Sequence, residues 1–136
     1  MKNLLIIPFI LWAFAQPATA FEWHQANETT IAWDAVETLA DGAALPTGDA
    51  IKYQVYTRDG DGVVVAIREV DATQALLTFT VEGNFIVGVS SVRYRDDVKL
   101  SESVINWSDV NGGSTPDPFG FSSYQNPAQP LGLRTP

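Results

Sequence analysis

From Thr29 onward apolar residues recur at every second position, in short runs separated by clusters of Gly, Pro, Asn and Asp. Successive side chains of an extended strand point to opposite faces, so this period gives one face to a core and the other to water. Thr29-Ile31-Trp33 forms one such face, and Ile51-Tyr53-Val55 forms another with Lys52, Gln54 and Arg58 opposite it. Val63 to Val70 is rich in β-branched residues, Gln74 to Val81 alternates Leu77 and Phe79 with Thr78 and Thr80, and Phe85-Val87-Val89 alternates again. A last run, Val104 to Val110, carries Ile105 and Trp107 on one face. Between the runs lie Asp41-Gly42, Pro46-Thr47-Gly48-Asp49, Asp59 to Gly62, Glu82-Gly83-Asn84 and Arg95-Asp96-Asp97, all of turn-forming composition. Six or seven short strands punctuated in this way predict an all-β antiparallel sandwich. Its core is expected to hold Trp33, Tyr53, Val55, Leu77, Phe79, Phe85, Val87 and Val89.

A chain of 136 residues has room for one such domain. Residues 1–20 have the order of a secretory signal peptide: Lys2, an apolar run from Leu4 to Ala15, a break at Gln16-Pro17, and a small-x-small site at Ala18-Thr19-Ala20. The run has 12 residues where a membrane span needs about 20, which favours a cleaved leader over an anchor and places the protein outside the cytoplasm, secreted or periplasmic. With no cysteine in the chain, a thiol nucleophile, a thiolate metal site and a disulfide framework are all excluded. Stability must come from burial. Sixteen acidic against eight basic residues give a net charge of −8, with no basic stripe to displace counterions from a nucleic acid or an anionic membrane.

Residues 111–136 contain five of the eight prolines and no periodic apolar face. This stretch is expected to be an extended or disordered C-terminal tail, because proline lacks the N–H that a central strand donates. Phe119, Phe121 and Tyr124 are more apolar than a linker needs and are the candidate interaction residues, either docked on their own domain or ordered by a partner. No internal repeat stands out.

Candidate chemistry is sparse. The sole histidine, His24, has neither a cysteine nor a Gly-x-Ser-x-Gly motif to complete a nucleophilic site, and no pair of the sixteen carboxylates is singled out for acid–base work. Asp59-Gly60-Asp61-Gly62 resembles the start of a calcium loop, yet its third ligand position is Val63 and its twelfth Val70. Two carboxylates cannot supply six to eight oxygens, so a hairpin turn is the better reading. Neither a metal nor another cofactor is therefore expected. Asn27-Glu28-Thr29 and Asn106-Trp107-Ser108 match the N-glycosylation pattern. Trp23 and Trp107 could serve as sugar platforms, although burial within the sandwich is the expectation for both.

Four segments together resemble the fibronectin type III family: "TIAWD" for its strand B, "IKYQVY" for strand C, "FIVGVSS" for strand F and "SES" at 101–103 for the opening of strand G. The resemblance spans residues 21–110 and implies an immunoglobulin-like sandwich of two sheets. Phe85 stands where the family commonly has a tyrosine that ties a corner of the sandwich. Only Phe21 to Glu28 precedes strand B, so strand A should be short, and Leu39, Leu45 and Pro46 of the long B–C connection are expected to pack over the open end. The resemblance further implies a non-catalytic exported module that binds a protein or cell-surface component, possible glycan contacts included. The alternative is a structural subunit of a surface or virion assembly, with self-assembly of the chain.

Overall fold

The computed structural model describes residues 21–109 and 117–136, so the expected signal peptide and the stretch 110–116 lie outside the described residues. Every regular element described is a strand: β1 (Glu22–Gln25), β2 (Glu28–Ala32), β3 (Asp49–Arg58), β4 (Val64–Val70), β5 (Gln74–Thr78), β6 (Gly83–Arg95), β7 (Val98–Glu102), β8 (Asn106–Trp107) and β9 (Phe119–Ser123). The large sheet runs β1-β9-β6-β3-β4, with β7 and β8 also paired to β6, and β2-β5 forms a second, two-stranded sheet. The all-β, sandwich-like architecture expected from the period of two is present.

The turns follow from their residues. At the β3–β4 hairpin the Gly62 N–H donates to the Asp59 carbonyl at 3.0 Å and the Asp59 N–H to the Val63 carbonyl at 3.1 Å. The Asp59 carboxylate accepts the N–H groups of Asp61 and Val63 at 3.0 and 2.9 Å. Gly62 closes the loop at φ 81°, a value that glycine adopts without steric cost. This is a turn, as the sequence indicated. The β6–β7 connection places Asp96 and Asp97 at φ 50° and 61°, the two consecutive left-handed residues of a tight hairpin.

Ile31, Val55, Ala75, Leu77, Phe79, Val87 and Phe121 form the core, with Trp33, Val70, Phe85, Val89 and Phe119 half-buried against it. Burying each large apolar side chain contributes about 1.5–3 kcal/mol, and in a chain without disulfides such burial has to hold the two sheets together. Phe85 does fill the core: its ring stacks on Phe79 at 5.0 Å. The corner bond that Phe85 cannot make has a counterpart elsewhere, since the Val36 N–H donates to the Tyr53 hydroxyl at 2.9 Å and ties the β2–β3 loop to β3. Leu39, Leu45 and Pro46 of that loop are half-buried.

Two expectations are corrected. The C-terminal stretch is not a tail throughout: β9 lies inside the large sheet, parallel to β1 and antiparallel to β6, and Phe121 is 5 % exposed. The prolines flank this strand rather than interrupt it, because Pro116 and Pro118 precede Phe119 and Pro127 follows Ser123. The domain therefore extends past 110 to at least Ser123. Among the described residues of the run 104–110 only Asn106–Trp107 is a strand, and the place beside the first residues of β6 belongs to β9.

Candidate functional site

Cross-strand partners share a face of a sheet, so the registers assign every side chain of β3 and β6. Val55 with Val89 and Thr57 with Val87 face β2 and β5, whereas Gln54 with Ser90, Tyr56 with Gly88 and Arg58 with Ile86 make up the outer face. Two glycines on that face admit indoles. A Cβ on Gly88 would lie 2.5 Å from the Trp107 ring, and one on Gly120 would lie 2.5 Å from the Trp23 ring. Each tryptophan thus lies across a strand at a residue without a side chain. Neither sits within the sandwich as the sequence suggested; Trp23 is 45 % exposed and packs on Phe21 with ring centroids 4.8 Å apart.

The charged groups of this face are paired with one another. The Glu102 carboxylate accepts hydrogen bonds from Lys99 Nζ at 2.7 Å, from Ser90 Oγ at 2.6 Å and from the Tyr56 hydroxyl. The Lys99 bond, followed by those of Ser90 and Tyr56, holds the carboxyl down at about 2. The same contacts raise the Tyr56 and Lys99 values, in each case chiefly through Glu102. Arg58 donates to Asp109 and lies over the Trp107 ring, 4.7 Å from its centroid. On the opposite face, at the far end of the sheet, Asp49 accepts from Arg93 Nε at 2.5 Å and Arg95 Nε at 2.6 Å, and the Arg95 bond leads in depressing its carboxyl. These pairs brace strands, although Asp109 Oδ1 is buried without a hydrogen-bond partner among the described residues. Among the described residues no group of three or more His, Cys, Asp or Glu gathers in a way that could hold a metal.

A groove of about 410 Å³ is lined by Trp33, Tyr53, Val104 and Trp107 among others. The Trp33 indole N–H is buried beside it without a partner among the described residues.

The free edges complete the surface. Among the described residues β4 pairs only with β3, and Val63, Val64, Val65 and Ile67 are exposed along it. Its register with β3 shifts between Val55 and Tyr56, leaving Ile67 as the extra residue of a bulge. Of the three candidate interaction residues, Phe121 is core, Phe119 is half-buried beside it, and Tyr124 is exposed. The fold therefore separates them into structural and surface residues. The signal for the difference was present: Phe119 and Phe121 have the period of a strand, and Tyr124 falls outside it.

No protein-family model, no curated protein and no solved structure matches the chain. Among the described residues no helix is long and apolar enough to cross a membrane.

Proposed function

We propose that this chain is an exported, non-catalytic immunoglobulin-like module of the fibronectin type III kind that binds a protein or cell-surface component by strand addition at β4. What supports the fold reading is connectivity: β2 and β5 form one sheet while β3, β6 and β9 lie together in the other, the arrangement of strands B, E and C, F, G in that architecture. What carries the functional reading is a seven-residue edge strand whose Val64, Val65 and Ile67 are exposed and whose outer backbone groups have no strand partner among the described residues. Exposed apolar edges are ordinarily guarded by charge or cover because they recruit other strands. Here such an edge offers main-chain hydrogen bonds together with side-chain contacts, the combination used in peptide recognition by sheets.

The test immobilises the protein and identifies what it retains from its source by cross-linking at β4. Val65→Lys and Ile67→Lys should abolish retention while leaving the circular dichroism and melting temperature unchanged. Retention that survives both substitutions but is lost in Trp23→Ala would overturn the edge reading and move the site to the aromatic outer face, where a glycan would stack.

A further inference from the structure

β9 follows Pro118 as Phe119-Gly120-Phe121-Ser122-Ser123: apolar, glycine, apolar, then two polar residues. The same order recurs twelve residues later, after Pro130, as Leu131-Gly132-Leu133-Arg134-Thr135. This short repeat is hidden when whole strands are compared, because each copy is only half the length of β3. In the first copy the period of two sends Phe119 and Phe121 to the core and leaves Gly120 beneath the Trp23 ring. The second copy pairs with no strand among the described residues, and its leucines are 94 % and 100 % exposed. A segment with the pattern of a sheet-forming strand and two bare leucines lacks its acceptor.

The chain is anchored just before this segment. The Tyr124 N–H donates to Asn27 Oδ1 at 3.2 Å, the Gln125 N–H to Glu82 Oε1 at 2.9 Å, and the Gln125 side chain to the Thr80 carbonyl at 2.9 Å. From Asn126 to Pro136 the eleven remaining residues can extend by roughly 35–40 Å, enough to reach beyond their own domain.

We propose that Leu131–Thr135 is a donor strand that adds to the free edge of β4 in a second copy of this chain. This rests on the reading of β4 as an acceptor and names what it accepts. Pro130 and Pro136 limit the donor to five residues, which is within the seven-residue length of β4 although only Val64, Val65 and Ala66 precede the bulge at Ile67. As an outermost strand the donor tolerates those prolines. Gly132 now has φ 69°, and a glycine moves to the extended region without steric cost. The charges are compatible: Arg134 is the one basic residue after Lys99, and against the one basic residue of β4, Arg68, stand Asp59 and Asp61 in the hairpin before the strand and Glu69 and Asp71 at its other end. Donor and acceptor are different surfaces, so the contact is heterologous and propagates into rings or open chains rather than stopping at a dimer.

Sedimentation of the purified protein from micromolar to millimolar concentration should show self-association that continues past the dimer. The double substitution Leu131→Asp with Leu133→Asp changes only exposed side chains and should yield a monomer, as should Val65→Lys. An equimolar mixture of these two monomeric variants should restore association but stop at a one-to-one pair, because only one donor and one acceptor remain intact. Ile67→Lys replaces Val65→Lys if the latter fails to fold. A protein that is monomeric throughout, or association that persists without Leu131 and Leu133, overturns the proposal. If the mixture forms no pair while β4 substitutions still abolish capture of another partner, the donor is wrong and the edge reading stands. If β4 substitutions affect neither, both fail.

Discussion

Glu102 joins three strands through one carboxylate, since Ser90 belongs to β6, Tyr56 to β3, and Lys99 with Glu102 itself to β7. Its carboxyl is held at about 2 in the fold against an ordinary value of 4.5, so the folded state binds the proton less readily than the unfolded chain. The stabilisation is therefore complete above the ordinary value and is lost as pH falls from about 4.5 toward 2. Asp49 acts in the same direction, its carboxyl lowered first by the Arg95 bond and opposed by burial. Glu102→Gln should cost about 1–2 kcal/mol at neutral pH, a figure that allows for solvent screening of a partly exposed pair. Urea melts at pH 7 and pH 3 check it: the gap between wild type and variant should narrow in acid, and a gap that stays constant would assign Glu102 a purely steric role. A second pair of substitutions isolates backbone strain. Gly62 has a positive φ and Gly60 does not, while both would have open space around an added methyl. Gly62→Ala should cost about 1–2 kcal/mol and Gly60→Ala almost nothing, as read from thermal melts.

At the level of elements, β2, β3, β5 and β6 were legible because each carries its own period of two, β4 because it is rich in β-branched residues, and Asp-Gly signals mark the hairpin between β3 and β4. β9 was not, for a physical reason: proline was weighed across the whole C-terminal stretch, although it forbids only the positions it occupies. β7 escaped because Val98-Lys99-Leu100 shares its stretch with the Asp96-Asp97 turn, and its residues are all exposed, so no apolar face announces it. The placement of Trp23 and Trp107 was hidden for another reason. Alternation tells which residues share a face but not which face meets the core. Two glycines inside strands carried the missing signal, since a strand-interior glycine marks the close approach of another group. Phe121 tests the role of β9 directly. It lies in the core, with its ring 5.7 Å from both Phe79 and Phe119, so Phe121→Ala should cost about 3–5 kcal/mol by urea denaturation. A cost near zero would detach β9 from the fold.

For the whole molecule, β9 decides where the domain ends. It is flanked on one side by β1 and on the other by β6, and without it β1 would have no strand to pair with in the large sheet. Ser108 fastens this junction: its N–H donates to the Val87 carbonyl at 2.8 Å, its hydroxyl donates to the Phe119 carbonyl at 2.7 Å, and its carbonyl accepts the Phe119 N–H at 2.8 Å. Removal of β9 would therefore expose the Phe79–Phe85 stack and release β1 together with Trp23. A domain of this size commonly has about 5–15 kcal/mol of stability, and losses on that scale exhaust it. Two truncations separate fold from tail. A chain ending at Asp109 should lose its cooperative thermal transition, whereas one ending at Gln125 retains β9 and the anchoring bonds to Thr80 and Glu82 and should melt within a few degrees of the full chain. The second truncation also removes Leu131 and Leu133, so it should be monomeric at concentrations where the full chain associates. Equal melting temperatures with unequal sedimentation would place the fold before Gln125 and the assembly after it; a full melting transition in the chain ending at Asp109 would show instead that the sandwich closes without β9.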